Sequence, residues 1–180
     1  LSVENAVKRL GYTVVVTDDE AVLRGADKVI FPGVGHAAPA MAYLKERGLN
    51  TVLTSLTQPV LGICLGLQLM CRFSEEGATE GLGIFDADVL KFPPEDKVPH
   101  MGWNTVQHLD NVLFKDIAPD ADFYFVHSYY AGLSDASAGV CQYIVPFSAA
   151  LQKDNFYAVQ FHPEKSGNAG EQLLKNFLGL

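Results

Sequence analysis

Apolar positions recur at helical spacing from Ser2 to Leu10, where Val3, Ala6, Val7 and Leu10 share one side and Gly11 follows as a stop. The pattern then changes period. Tyr12 to Thr17 is short and β-branched and predicts a strand, Asp18 and Asp19 stand where they can cap a turn of helix, and Lys28-Val-Ile-Phe31 predicts the next strand. Pro32-Gly-Val-Gly35 interrupts as a loop; His36 to Arg47 returns to helical spacing with Ala, Met and Leu on one side, and Gly48 ends it. Val60 to Ile63 reads as a short apolar strand and Leu65 to Phe73 as another helix. Strand and helix alternating in this way predict the α/β class, a doubly wound and mostly parallel sheet.

The second half is richer in β-patterned runs: Leu82 to Phe92, Thr105 to Gln107, Asp122 to Tyr130, Val140 to Val145, Phe147 to Gln152 and Phe156 to Phe161, with Asp154-Asn155 as one of the separating turns. These predict antiparallel strands appended to the parallel sheet. Pro99-His-Met-Gly-Trp-Asn104 has the proline, glycine and mixed polarity of an ordered loop, and Gly170 to Leu180 predicts a closing helix with Leu173, Leu174, Phe177 and Leu178 inward. No repeat or linker divides the chain, so residues 1–180 are expected to form one domain. A sheet of this type normally begins with a strand, whereas Ser2 opens a helix; a preceding strand is therefore expected upstream.

Composition narrows the function classes. Of 180 residues 48% are hydrophobic and 19% charged, below the roughly 25% charged of an average soluble domain, which excludes disordered and fibrous architectures. Lys plus Arg is 13 against 21 for Asp plus Glu, a net charge of −8 with no basic run, so electrostatic capture of nucleic acid or an anionic membrane is disfavoured. The longest apolar stretch, Pro59 to Met70, contains Gln68 and falls short of the roughly 20 residues of a spanning helix. Cys64, Cys71 and Cys141 form no CxxC pair, which fits a reducing, cytoplasmic setting. His36, His100, His108 and His127 make no motif with metal-ligand spacing, so no metal is expected.

The sharpest chemical signal is Gly62-Ile-Cys-Leu-Gly66, a cysteine between two glycines, directly after an apolar strand and before a helix. It has the form of a nucleophile elbow with Cys in place of Ser: the tight turn demands small residues two before and two after the nucleophile. Backbone N–H groups at the start of the helix favour the thiolate of Cys64, although a buried structural cysteine fits the pentapeptide equally well. Downstream, Gln160-Phe-His-Pro-Glu164 ends a strand. Pro163 biases His162 toward extended backbone, and residues two apart on an extended chain project to one side, so His162 and Glu164 can pair. A carboxylate on one imidazole nitrogen leaves the other free to handle the thiol proton.

Gly33-Val-Gly-His-Ala-Ala38 also matches the dinucleotide fingerprint, but Gly48 to Leu61 lacks the acidic residue wanted about 20 positions on. The other uses of such a loop are a plain tight turn or an oxyanion site, with a backbone N–H at the loop and a second from Leu65. Gly33 and Gly35 give the peptides around Val34 freedom to turn. Trp103 is read either as a core anchor or as an interface anchor, and Val126 to Tyr130 as a substrate wall or a strand end entering a loop.

Taken together, Gly62-Ile-Cys-Leu-Gly-Leu-Gln68 and Phe161-His-Pro-Glu164 resemble the triad-type (class I) glutamine amidotransferases, over nearly the whole chain. Pro32-Gly-Val-Gly35, Pro99 to Asn104, Phe125-Val-His-Ser-Tyr129 and His162 to Ser166 resemble, within that family, the glutaminase subunits of imidazole glycerol phosphate synthase in histidine biosynthesis. The resemblance implies Cys64 as nucleophile, His162 as base and then acid, and Glu164 as its orienter. It implies an oxyanion hole from the Val34 and Leu65 amides, glutamine held by Gly33, Gly35, Gln68, His127, Ser128 and Tyr129, and no cofactor. It further implies a separate (β/α)₈-barrel synthase (cyclase) subunit as partner, receiving ammonia through a channel, with Trp103 and Lys165 at the contact. An amidotransferase of the anthranilate type, a dinucleotide-binding oxidoreductase and a catalytically silent scaffold are the competing expectations.

Overall fold

The structure is a computed structural model that describes residues 2–108 and 110–180. In the first half, α1 (Ser2–Arg9) and α2 (Glu20–Gly25) precede β1 (Val29–Gly33), α3 (Ala37–Glu46), α4 (Leu49–Ser55), β2 (Val60–Cys64) and α5 (Leu65–Met70). The second half carries β3 (Cys71–Ser74), β4 (Thr79–Glu80), β5 (Phe85–Lys91), β6 (His100–Thr105), β7 (Gln107–His108), β8 (Asp122–His127), β9 (Tyr129–Ala131), β10 (Ser137–Tyr143), β11 (Val145–Lys153), β12 (Phe156–Val159) and the closing α6 (Gly167–Leu178).

β2 is the keystone. All five of its residues are buried, as expected of a strand covered on both faces. It pairs in parallel with β1 on one side and with β12 on the other. Beyond β12 the order continues through β11, β9, β5, β3 and β4, with β10 on β11 and β7 on β10; β6 and β8 form a separate two-stranded sheet. β2 feeds two cores: Leu61 and Ile63 belong to the one that holds Phe123, Phe161 and Phe177, and Val60 to the one that holds Met41, Leu53 and Met70. The α/β class, parallel around the elbow and largely antiparallel beyond it, with β3 and β5 again parallel, is as the sequence predicts.

Several local expectations are corrected. Tyr12 to Thr17 is not a strand; Val15 and Val16 are 66% and 79% exposed. A strand needs a ladder, and among the described residues this run pairs with no strand of either sheet. The helix expected to run from Leu65 to Phe73 stops at Met70, because Cys71 to Ser74 pairs with β4 and β5. The expected loop from Pro99 to Asn104 is largely strand β6, in register with β8 from His100 opposite His127 to Thr105 opposite Asp122. The run Asp122 to Tyr130 is divided at Ser128 into β8 and β9. Helix α4 was not expected: Gly48, left-handed at φ 67°, ends α3 but also opens the next helix, whose Leu49, Val52 and Leu53 are buried. The closing helix buries Leu173, Leu174, Phe177 and Leu178 as predicted. No helix among the described residues is long and apolar enough to cross a membrane.

Candidate active site

β2 passes into α5 at a single residue, Cys64, with φ 55° and ψ −108°. That left-handed backbone in a residue with a Cβ costs of order 1–3 kcal/mol and is held by its surroundings. The flanking glycines are sterically required: a Cβ on Gly62 would lie 2.4 Å from Met70 Sδ, and one on Gly66 2.0 Å from the Phe31 carbonyl oxygen. Gly66→Ala is therefore expected to force helix and strand apart and to cost roughly 1–3 kcal/mol. A denaturant midpoint equal to that of the parent chain would show that the elbow relaxes freely.

β12 lies beside β2 with Val159 opposite Ile63, so the residues following β12 emerge next to the elbow. His162 is fixed there by its backbone: its N–H donates to the Tyr124 carbonyl at 2.9 Å. Its own carbonyl accepts from Ser166 Oγ at 2.6 Å, and Ser166 Oγ in turn accepts from the Tyr124 amide at 3.0 Å. Glu164 Oε1 is 2.8 Å from His162 Nδ1, with both side chains almost wholly buried, which leaves the other ring nitrogen for Cys64. Burial is the largest single influence on His162 and opposes its charged form. The Cys64 and Glu164 partners together outweigh it and push the imidazole up to about 9.

The glycine loop reaches the same place. Gly33 is the register partner of Cys64, and a Cβ on Gly33 would sit 3.1 Å from Leu65 Cβ. Val34 is 82% exposed, and Gly35 takes φ 100°, a value glycine adopts without strain. Where the loop enters α3, the Ala37 amide donates to Glu76 Oε2 at 2.8 Å, and His36 Nδ1 lies 3.2 Å from Glu76 Oε1. Glu76, forty residues further along the chain, carried no local signal for this contact.

Gln68 is buried and donates from Nε2 to the Tyr129 carbonyl at 3.0 Å and to Gln160 Oε1 at 3.1 Å. His127, also buried, donates from Nδ1 to the same carbonyl at 2.7 Å, so its Nε2 accepts from His100 Nδ1 at 3.0 Å. Ser128 accepts from the Phe92 amide at 3.1 Å through its carbonyl, and Tyr129 begins β9. The structure thus brings Cys64, His162, Glu164, Gly33, Leu65 and Gln68 together, and it links the His127 to Tyr129 segment to them through Gln68. Gln160, fully buried with Nε2 at 3.8 Å from Cys64 Sγ, was missed, although it stands two residues before His162 in the motif itself. Trp103 is 58% exposed and Met101 57%, which overturns the core-anchor reading: the alternating exposure of β6 turns both outward, with Trp103 edge-on to Tyr124 at 5.9 Å. Lys165 is exposed immediately after Glu164.

Known proteins resemble this chain in sequence and in fold. The family model described as glutamine amidotransferase class-I matches residues 2–179. An imidazole glycerol phosphate synthase subunit HisH from Bacteroides fragilis is 62% identical over 99% of this chain and 93% of its own length. The HisH subunits of Pasteurella multocida, 50% identical over 98% and 90%, and Salmonella typhimurium, 52% identical over 98% and 92%, are similar too. Among solved structures, a glutamine amidotransferase superposes with a TM-score of 0.76 at 17% identity, covering 99% of this chain and 91% of that one. The glutaminase domain of Trypanosoma brucei CTPS gives 0.66 at 16% identity, over 99% and 87%; both likenesses concern the fold. With the family model spanning nearly every residue and relatives at this identity, the chain belongs to the class-I glutamine amidotransferases.

Proposed function

We propose that this chain is the glutaminase subunit of an imidazole glycerol phosphate synthase, a single catalytic domain that hydrolyses glutamine to glutamate and ammonia. The observation that carries the chemistry is a cysteine held in strained backbone at a strand-to-helix elbow, beside a histidine whose other nitrogen is held by a buried carboxylate. Glu164 holds Nδ1 of His162, so the other ring nitrogen is the one that receives the thiol proton of Cys64. His162 therefore begins the cycle as the base and continues it as the acid.

The sulfur attacks the glutamine side-chain carbon: the S–C bond forms as the C=O π pair moves onto oxygen. The amides of Val34 and Leu65 are our oxyanion donors, and Gly33 and Gly35 let the Val34 peptide turn toward that oxygen. As the tetrahedral adduct collapses, the C–N bond breaks and the leaving nitrogen takes the His162 proton and departs as ammonia. Neutral His162 then accepts a proton from water as its oxygen attacks the thioester. The C–S bond breaks, the thiolate returns, and glutamate leaves. Glu164 keeps the ring tautomer and orientation through both halves. Gln68, His127, Ser128 and Tyr129 form the wall against which glutamine is held.

Ammonia exposed to water at neutral pH is mostly ammonium and is lost to solvent. A closed interface with the consuming enzyme solves that problem, and the partner we assign is a (β/α)₈-barrel cyclase subunit making imidazole glycerol phosphate and an aminoimidazole carboxamide ribotide. The exposed Trp103 and Lys165 stand on the face we assign to it, and the three free, buried thiols suit a cytoplasmic location. Glutamate release by the chain alone is expected to be slow, and to rise at least about 10²-fold when the barrel subunit and its ribonucleotide ligand complete the oxyanion hole. Equal rates with and without that partner would sink the assignment of the partner.

A further inference from the structure

The class-I reading explains Cys64, His162 and Glu164, yet it leaves one buried polar group against the nucleophile without a task. Gln160 has no exposed surface, and its carboxamide nitrogen lies 3.8 Å from Cys64 Sγ. Which end of that amide faces the sulfur follows from its neighbours. The Tyr129 carbonyl can only accept, so the group that Gln68 turns to it at 3.0 Å is its NH₂. The same NH₂ is 3.1 Å from Gln160, so Gln160 must present its oxygen there and its own NH₂ to the sulfur. The polarity therefore runs without a break from a fixed backbone acceptor to the nucleophile. His127 reinforces it by donating to the same Tyr129 carbonyl at 2.7 Å.

We infer that Gln160 is a positioning residue for the nucleophile: its carboxamide N–H donates to the Cys64 sulfur, aims it, and favours the thiolate. The inference rests on the nucleophile assignment made above and adds to it a donor distinct from both His162 and the oxyanion amides. Two steps of the cycle gain from it, because a donor to sulfur stabilises the charged form before attack and again when sulfur leaves the thioester. A neutral amide is suited to the place. It adds no second titrating group beside His162, and a hydrogen bond to a charged acceptor is worth more than one to a neutral acceptor.

The test is the pH dependence of Cys64 alkylation by iodoacetamide, quantified on the Cys64 peptide in the full chain bound to its partner subunit. Gln160→Met keeps the volume and loses the donor; Gln160→Glu keeps the shape and the acceptor for Gln68 and puts oxygen where the N–H was. Both profiles are expected to move to higher pH, with alkylation at pH 7 slower by about tenfold, more in Q160E than in Q160M. Glutamine kcat should fall by a similar factor while KM holds. A merely structural role would lower activity without moving the alkylation profile, and profiles matching the parent in whichever variant folds would overturn the inference. Alkylation requires no glutamine, so it decides on Gln160 even if turnover by Cys64→Ala were to overturn the nucleophile assignment.

Discussion

Cys64→Ala in the assembled complex is expected to bring glutamate release from glutamine down to background, a loss on the order of 10⁴-fold or more. Without the sulfur no thioester forms, and the oxyanion donors and substrate wall are left to bind glutamine without turning it over. Stability should stay within about 1 kcal/mol of the parent, since alanine retains the Cβ that already occupies the strained elbow, so folding and partner binding serve as controls. A second readout belongs to the same variant. His162 is carried up to about 9 by Cys64 and Glu164 acting against burial; with the sulfur gone only Glu164 opposes burial, and the imidazole should titrate lower. Imidazole NMR shifts followed from pH 5 to 10 would report it. Glutamine turnover surviving in this variant would remove Cys64 from the chemistry, and an unmoved His162 titration would show that the sulfur does not act on it.

The elements that build this site were legible because each rests on a local rule. Gly62-Ile-Cys-Leu-Gly66 announces an elbow through steric need alone, and the structure places backbone and a core sulfur where either glycine's Cβ would go. His-Pro-Glu announces a pairing by two-residue periodicity, and His162 meets Glu164 at 2.8 Å. What was not legible depends on contacts distant in sequence. Glu76 reaches the start of α3 from the turn after β3, where Gly77 lies against Ala38. Gln160 gains its orientation from Gln68, 92 residues away. Pro99 and Gly102 give β6 the local signal of a loop, whereas pairing with β8 along its whole length decides its conformation. Tyr12 to Thr17 failed in the opposite sense: the β-branched residues are present and the ladder that would make them a strand is not. Propensity proposes an element, and a neighbour has to accept it.

The same interior polar chain makes the fold sensitive to acid. Asn104 Nδ2, 3.3 Å from His100 Nε2, donates to it; His100 donates to His127, and His127 donates to the Tyr129 carbonyl. Every ring nitrogen is used, and each ring must be neutral, because a proton on His127 Nε2 would face the N–H of His100. Burial lowers His100 to about 4. It lowers His127 to about 3, with the Tyr129 carbonyl opposing and the neighbouring His100 and His162 adding to the effect. An unfolded histidine titrates near 6.5, so below that pH the unfolded chain takes up protons that the folded chain refuses. The stability these two rings contribute is complete above pH 6.5 and is lost as pH falls toward 4 and then 3. His162 has the reverse sign: raised to about 9, its contribution is complete below pH 6.5 and is lost as pH rises through 9. The folded state should accordingly be most stable near pH 6.5 and lose on the order of 5 kcal/mol by pH 4, a large part of a typical domain's total. Urea midpoints at pH 8, 6.5, 5.5 and 4.5 measure it. His127→Asn places an amide N–H where Nδ1 was and cannot be protonated, so its acid limb should be shallower than the parent's. Equal acid slopes in the two proteins would mean that the buried rings are not the groups that acid attacks.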